Sequence, residues 1–154
     1  MITLPGISFH KYWRTRFLLI TALLTSWIVA AASPIKLKCP PSIPISAPKP
    51  HDTPTEWKVY VASQLYLNSA APISGPPEMH GDLAEFTTKP GKIEWSYTYD
   101  LDRNFPNGKW LECGYGTYNQ VTLSKLLPDT IKSCTFTYRK GHKAGQHDIQ
   151  ILCK

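Results

Sequence analysis

The chain alternates apolar and polar side chains in several short segments, the pattern of β-strands with one buried face. The clearest segment runs from 93 to 99, with apolar Ile93, Trp95, Tyr97 and Tyr99. The segment 57–61 has the same alternation, and further strands are predicted at 65–68, 83–87, 109–115, 118–123, 131–139 and 148–153. Helical periodicity is not sustained anywhere, and at most a helical turn is expected at 123–127. The pattern predicts an all-β fold, an antiparallel sandwich or small barrel with at most one or two short helices.

The first 32 residues have the layout of an export signal. Basic residues including Lys11, Arg14 and Arg16 precede an apolar run at 17–29, and the following alanines fit the small-x-small rule for cleavage. The run is shorter than the roughly 20 apolar residues that cross a bilayer. We therefore predict that 1–32 is a cleaved signal peptide, and that the mature chain has no stable membrane anchor.

Proline is concentrated directly after this leader. Seven prolines lie between residues 34 and 54. Because proline lacks the backbone donor that a sheet needs, this part of the chain is a poor inner strand and cannot be a helix. We predict a proline-rich extended arm at 33–55, followed by a disulfide-stabilised β domain at 56–154.

Charge gives little support for a nucleic-acid partner. The whole chain has a net charge of +6, from 17 basic and 11 acidic residues. The leader carries three of the basic residues and no acidic one, so the mature chain keeps 14 against 11, or +3. A charge this small does not indicate nucleic-acid binding.

The four cysteines all follow the leader, and each shares its strand face with apolar residues. Cys113 alternates with Leu111 and Tyr115, and the other three have similar neighbours. An even number of inward-facing cysteines in an exported chain favours disulfides over metal binding or thiol chemistry. Of the three possible pairings we favour Cys113 with Cys134 and Cys39 with Cys153.

Catalytic and metal-binding patterns are weak. No Gly-x-Ser-x-Gly motif occurs, and a zinc site from His80, Asp82, His142 and His147 would lack the usual ligand spacing. Asp100 and Asp102 resemble the two acids of a glycosidase, but they stand in a polar loop. The many aromatic residues suggest sugar stacking, yet their positions in the strands assign them to the core first. We predict no catalytic residue, no metal and no cofactor.

The loop from Asp100 to Gly108 is longer than a hairpin requires. It is either a solvated hairpin loop or a recognition loop, since an aromatic residue and an arginine among polar side chains are typical of interface anchors. The partner-binding candidates are Asp100, Asp102, Arg103, Asn104 and Phe105.

Several short motifs together resemble a known group of proteins. They are Cys39-Pro40, Gly75-Pro76-Pro77, Trp95, the Trp-x-x-Cys-x-Tyr of 110–115, and Leu127-Pro128 ahead of Cys134. With the leader, they resemble small periplasmic proteins of Gram-negative bacteria, some of which resemble immunity proteins of type VI secretion effectors. The effectors in question attack peptidoglycan and include enzymes of the L,D-transpeptidase type.

The resemblance implies a periplasmic, non-enzymatic immunity protein that binds and blocks a cognate cell-wall-targeting effector. Two other functions remain open on the sequence alone. One is inhibition of host lysozyme, and the other is a small envelope protein that binds or hydrolyses glycans.

Overall fold

The structure, a computed structural model, describes residues 33–48 and 52–154. The predicted signal peptide lies outside the described residues. The strands are β1 (Ile35–Leu37), β2 (Ser42–Ile43), β3 (Leu65–Ser74), β4 (Phe86–Lys89), β5 (Glu94–Asp100), β6 (Lys109–Tyr115), β7 (Val121–Leu126), β8 (Ser133–Lys140) and β9 (His147–Cys153). In this part of the chain the helical structure is one 3-10 turn at Pro77–Met79, and we find no helix with the length and hydropathy of a membrane span.

The strands form two antiparallel sheets, so the predicted all-β fold is confirmed as a sandwich. The first sheet has the strand order β1-β9-β8-β5-β4, and the second has the order β2-β3-β6-β7. Strands β1 and β2 come from the predicted proline-rich arm, and they pair with β9 and β3. The arm therefore contributes one short edge strand to each sheet.

The core lies between the inward faces of the two sheets, where the alternating apolar residues meet. Tyr99, Phe136 and Ile151 come from the first sheet, and Leu111 and Tyr115 come from the second. Aromatic rings on β5 and β8 contact each other edge to face, as between Tyr99 and Phe136 at 5.1 Å. Such pairs add to the stability that burial gives.

Burial raises the pKa of three tyrosines of this core. Burial raises the pKa of Tyr115 to about 12, and its hydroxyl donates to the Pro40 carbonyl at 3.0 Å. Burial, with a smaller contribution from neighbouring tyrosines, also raises the pKa of Tyr99 and of Tyr138. For Tyr138, a hydrogen bond to Ala70 opposes part of that increase.

Both disulfides are present, but the pairing favoured from the sequence is wrong. The structure joins Cys39 to Cys113 and Cys134 to Cys153. Cys113 lies on β6 of the second sheet and Cys134 on β8 of the first, so they are not on neighbouring strands. Cys153 lies directly opposite Cys134 on the adjacent strand β9.

Two local predictions are also wrong. Residues 57–61 form no strand, and the backbone turns just before them, at a hydrogen bond from the Trp57 amide to the Pro54 carbonyl. This segment pairs with no strand, and Trp57 and Tyr60 are exposed. Residues 123–126 belong to the edge strand β7 rather than to a helical turn.

Candidate functional site

The two ends of the sandwich carry different surfaces. We call the end with the turns 90–93, 116–120 and 141–146 the hairpin end. Strand pairing brings the first and third of these turns together in one sheet. The second turn lies beside them, since the Thr117 side chain lies against Gly145 of the third turn. We call the opposite end, with the connections 75–85, 101–108 and 127–132, the loop end.

The predicted recognition loop lies at the loop end, where its charged groups are paired with one another or with neighbours. Arg103 contacts Glu85 at 2.5 Å and Asp100 at 3.7 Å, and Lys132 contacts Asp102. Asp100 also accepts a hydrogen bond from the Asp102 amide at 3.0 Å. These side chains are exposed, so each ion pair adds little to stability. Their mutual pairing means that a partner would have to compete for them.

Phe105 is held inside the loop. It packs against the core, and the Lys109 ammonium group lies 5.6 Å from the centre of its ring. Lys109 is only 5% exposed and donates to the carbonyl oxygens of Asp129 and Ile131 at 3.0 and 2.9 Å. A buried ammonium needs such acceptors to offset its lost hydration. Of the five predicted partner-binding residues, only Asp100, Asp102, Arg103 and Asn104 are exposed.

The residues considered as metal ligands or catalytic acids do not come together in one site. The loop holding His80 and Asp82 lies at the loop end, whereas His142 and His147 lie at the hairpin end. In residues 33–48 and 52–154 no three His, Cys, Asp or Glu residues are grouped closely enough to hold a metal ion. Asp100 and Asp102 are joined by the local backbone hydrogen bond and do not face each other across a cleft.

The hairpin end contains a cleft that sequence reasoning missed. It has a volume of about 580 Å³, and its walls include Lys92, Ile93, Trp95, Lys140, Lys143 and His147. Ile93 is 83% exposed. The sequence identifies both turns that form the walls, but only the order of the strands shows that they are neighbours.

The floor of this cleft is held by contacts from three strands. Trp95 stacks on Tyr138 with 5.6 Å between ring centres. The Trp95 and His147 rings meet edge to face, with 5.4 Å between their centres. The His147 Nδ1 atom lies 2.5 Å from the Asn68 carbonyl oxygen, an acceptor, so Nδ1 carries the proton. The cleft is thus built on fixed side chains.

A second exposed apolar region lies in the connection between β2 and β3. Trp57 is 74% exposed and Tyr60 is 85% exposed, and with Ile45 and Val59 they border a shallow groove. No described residue of another strand covers this region.

Comparisons with known proteins give one finding. The model of a family described as "Type VI secretion system Tli immunity protein" matches residues 62–154. Searches of curated proteins and of solved structures give no significant match. The match spans β3 to β9, and therefore most of the sandwich. This chain belongs to the family of type VI secretion system Tli immunity proteins.

Proposed function

We propose that this chain protects the cell that makes it by binding a cognate type VI secretion effector and blocking its activity. The observation that carries the proposal is the match of residues 62–154 to a family of immunity proteins. The chain acts by occupying a surface of the effector, without chemistry of its own. A rigid, disulfide-linked sandwich with exposed loops is suited to that role, since a preorganised surface loses little entropy on binding.

The proposed place of action is the periplasm. Two disulfides link cysteines that are all 5% exposed or less, and structural disulfides form and persist in oxidising compartments. The predicted signal peptide at 1–32 agrees with this location. Fractionation of cells producing the full chain would test it, and recovery of the protein with free thiols in the cytosol would contradict it.

We further propose that the effector attacks the cell wall, as the motif resemblance implies, and that the L,D-transpeptidase type is the first class to test. Peptidoglycan and membrane lipids are both accessible to an enzyme in the periplasm. The purified cognate effector should therefore be assayed on peptidoglycan and on phospholipid vesicles. Activity on phospholipid alone would contradict the cell-wall target and leave the immunity function intact.

The main experiment measures protection and binding together. The effector is directed to the periplasm with and without this chain, and cell survival is recorded. The purified proteins, with the chain as residues 33–154, are then mixed and the Kd is measured. We expect survival only with the chain, a stable complex, and loss of effector activity on its substrate, while hen egg-white lysozyme stays active. Survival that does not depend on the chain would overturn the proposal.

The exposed part of the predicted recognition loop remains one proposed contact surface. Replacing Arg103 and Asn104 by alanine removes two exposed side chains of the loop. Phe105 is left in place because it packs against the core. A higher Kd for this double variant would support the loop, and an unchanged Kd would remove it.

A further inference from the structure

We propose that the hairpin end is the surface that receives the effector, and that it binds an acidic segment of that protein in which an apolar side chain stands beside carboxylates. The proposal rests on the immunity function proposed above and names the surface and the chemistry of the contact.

Positive charge is concentrated at this end. Residues 89–94 and 139–148 contain five lysines and arginines and two acids, a net +3. Residues 33–154 as a whole also carry +3, from 14 basic and 11 acidic residues. The rest of the mature chain is therefore neutral in sum, so the excess positive charge of residues 33–154 lies at the hairpin end.

The cations of the cleft are available to a partner. Arg139 is paired with Glu94 at 2.5 Å. Among the described residues, Lys92, Lys140 and Lys143 form no ion pair. At the loop end, by contrast, Arg103 and Lys132 already contact carboxylates. Carboxylates of a partner can thus pair with the lysines of the cleft without displacing an internal acid.

Apolar groups stand among these cations. Ile93 on the first turn is 83% exposed, and Tyr118 on the neighbouring turn is 85% exposed. Ile93 lines the cleft together with Lys92, Lys140 and Lys143. An apolar group beside charged ones matches the usual arrangement of an interface, with an apolar centre and a polar rim. The occupant accordingly needs an apolar side chain next to its acids.

The shape favours a protein over a membrane surface. The cleft is concave, about 580 Å³ in volume, and its floor residue Trp95 is fixed by Tyr138 and His147. A concave rigid site accepts a protruding side chain, whereas a flat lipid surface would touch only its rim.

Charge reversal tests the proposal with a matched control. In the test variant Lys140 and Lys143 become glutamate, and in the control variant Lys36 and Lys125 do. All four lysines are exposed, and both variants change the net charge by the same amount. We expect the Kd for the effector to rise at least about tenfold in the test variant, mainly through slower association, because interface charges steer the encounter. The Kd of the control variant should stay within about twofold of that of the unmodified chain. The Kd of the test variant should no longer depend on salt concentration.

Two further variants change the turn 90–93, so that the test does not rest on Lys140 and Lys143 alone. Lys92→Glu reverses a charge on the other wall of the cleft, and Ile93→Ser removes the apolar group. Leu152→Ser on β9 is the control for the latter, since Leu152 is also exposed. Thermal unfolding of each variant confirms that it is folded before its Kd is measured.

The outcomes separate this inference from the function on which it rests. If the unmodified chain binds the effector and every hairpin-end variant binds equally well, the hairpin end is not the interface and the immunity function stands. Loss of binding only in the Arg103 and Asn104 double variant would place the contact at the loop end and overturn the inference. Charge-dependent binding to phosphatidylglycerol vesicles, with effector binding unchanged, would assign the surface to a membrane and overturn it too. A chain that does not bind the effector would overturn both proposals.

Discussion

The hydroxyl group of Tyr138 connects the two sheets at the scale of a single residue. It lies on β8 of the first sheet, donates to the Ala70 carbonyl on β3 of the second, and accepts from the Ala70 amide at 3.1 Å. Tyr138 is 6% exposed, so water cannot replace these hydrogen bonds easily. The same ring supports Trp95 in the floor of the hairpin-end cleft.

Removing this hydroxyl should destabilise the fold. We expect Tyr138→Phe to lower the free energy of unfolding by about 1 to 3 kcal/mol, because a buried donor and a buried acceptor lose their partner. Chemical denaturation measures the change. Tyr97→Phe on β5 is the control, since Tyr97 is only partly buried and should show a smaller effect. Equal effects of the two substitutions would show that the bonds to Ala70 do not stabilise the fold.

Phe105 is the residue whose predicted role and observed environment differ most. The sequence places it near the tip of a recognition loop, whereas its ring packs between the core and the Lys109 ammonium group. Lys109, at the start of β6, is likewise buried, against two carbonyl oxygens. An alternating pattern reveals the face on which a residue lies, but not the loop that folds over the strand end.

Substitution separates the two roles of the loop. We expect Phe105→Ala to lower the free energy of unfolding by about 2 to 3 kcal/mol, less than the 3 to 5 kcal/mol typical of a fully buried phenylalanine. Arg103→Ala should change it by less than about 1 kcal/mol, since its ion pairs are exposed. Denaturation curves of both variants give the comparison. A larger loss for Arg103→Ala would mean that the surface ion pairs, rather than the ring, hold the loop.

At the scale of elements, the disulfides close loops of different length. Cys39–Cys113 spans 74 residues, and Cys134–Cys153 spans 19. The first fixes the connection between β1 and β2 to β6, and the second joins two paired strands. In the chain-entropy model the longer loop contributes more, about 4.4 kcal/mol against about 3.2 kcal/mol.

We therefore expect replacement of Cys39 and Cys113 by alanine to lower the melting temperature more than replacement of Cys134 and Cys153. Thermal unfolding of the two double variants measures this order. Peptide mapping without reduction should first recover Cys39 linked to Cys113. Recovery of Cys113 linked to Cys134 would contradict the strand order itself.

The pairing error shows what the sequence can and cannot specify. Alternation with apolar residues correctly places all four cysteines inside, including Cys39, which lies just beyond the end of β1. The partner of each cysteine depends on strand order, which alternation does not contain. After β7 the chain crosses to the other sheet through 127–132, so consecutive strands β7 and β8 are not neighbours. The segment 57–61 fails for a related reason, since it has the alternation of a strand but pairs with no other strand.

At the scale of the whole molecule, the positions of the candidate surfaces also depend on strand order, which the sequence pattern does not contain. Individual lysines and the two turns of the cleft are visible in the sequence, and so is the loop from Asp100 to Gly108. The pairing of β5 with β8 places the two turns at one end of the sandwich and the loop at the other, with Glu94 beside Arg139 and Asp100 beside Ser133. The sequence alone does not show this arrangement. A predicted site composed of one continuous loop was therefore easier to find than a cleft made from two distant turns.

The buried tyrosines should make the stability of the whole molecule depend on pH. Tyr99 and Tyr138 come from the first sheet and Tyr115 from the second, and all three have a pKa raised by burial above the usual value of about 10. The folded state therefore holds these phenolic protons more tightly than the unfolded state does. Their stabilising effect is complete below pH 10 and is lost as the pH rises through the folded-state values, about 12 for Tyr115.

We expect the melting temperature to fall steeply between about pH 10 and pH 12, together with a rise in tyrosinate absorbance as the core opens. Short exposures keep the disulfides intact, and a return to pH 8 should restore the fold. Exposed Tyr118 provides the control, because Tyr118→Phe should leave this transition unchanged, whereas Tyr115→Phe should make it shallower. A melting temperature that stays constant through this range would mean that the three hydroxyl groups ionise without opening the sandwich, and that the core is less dry than their burial indicates.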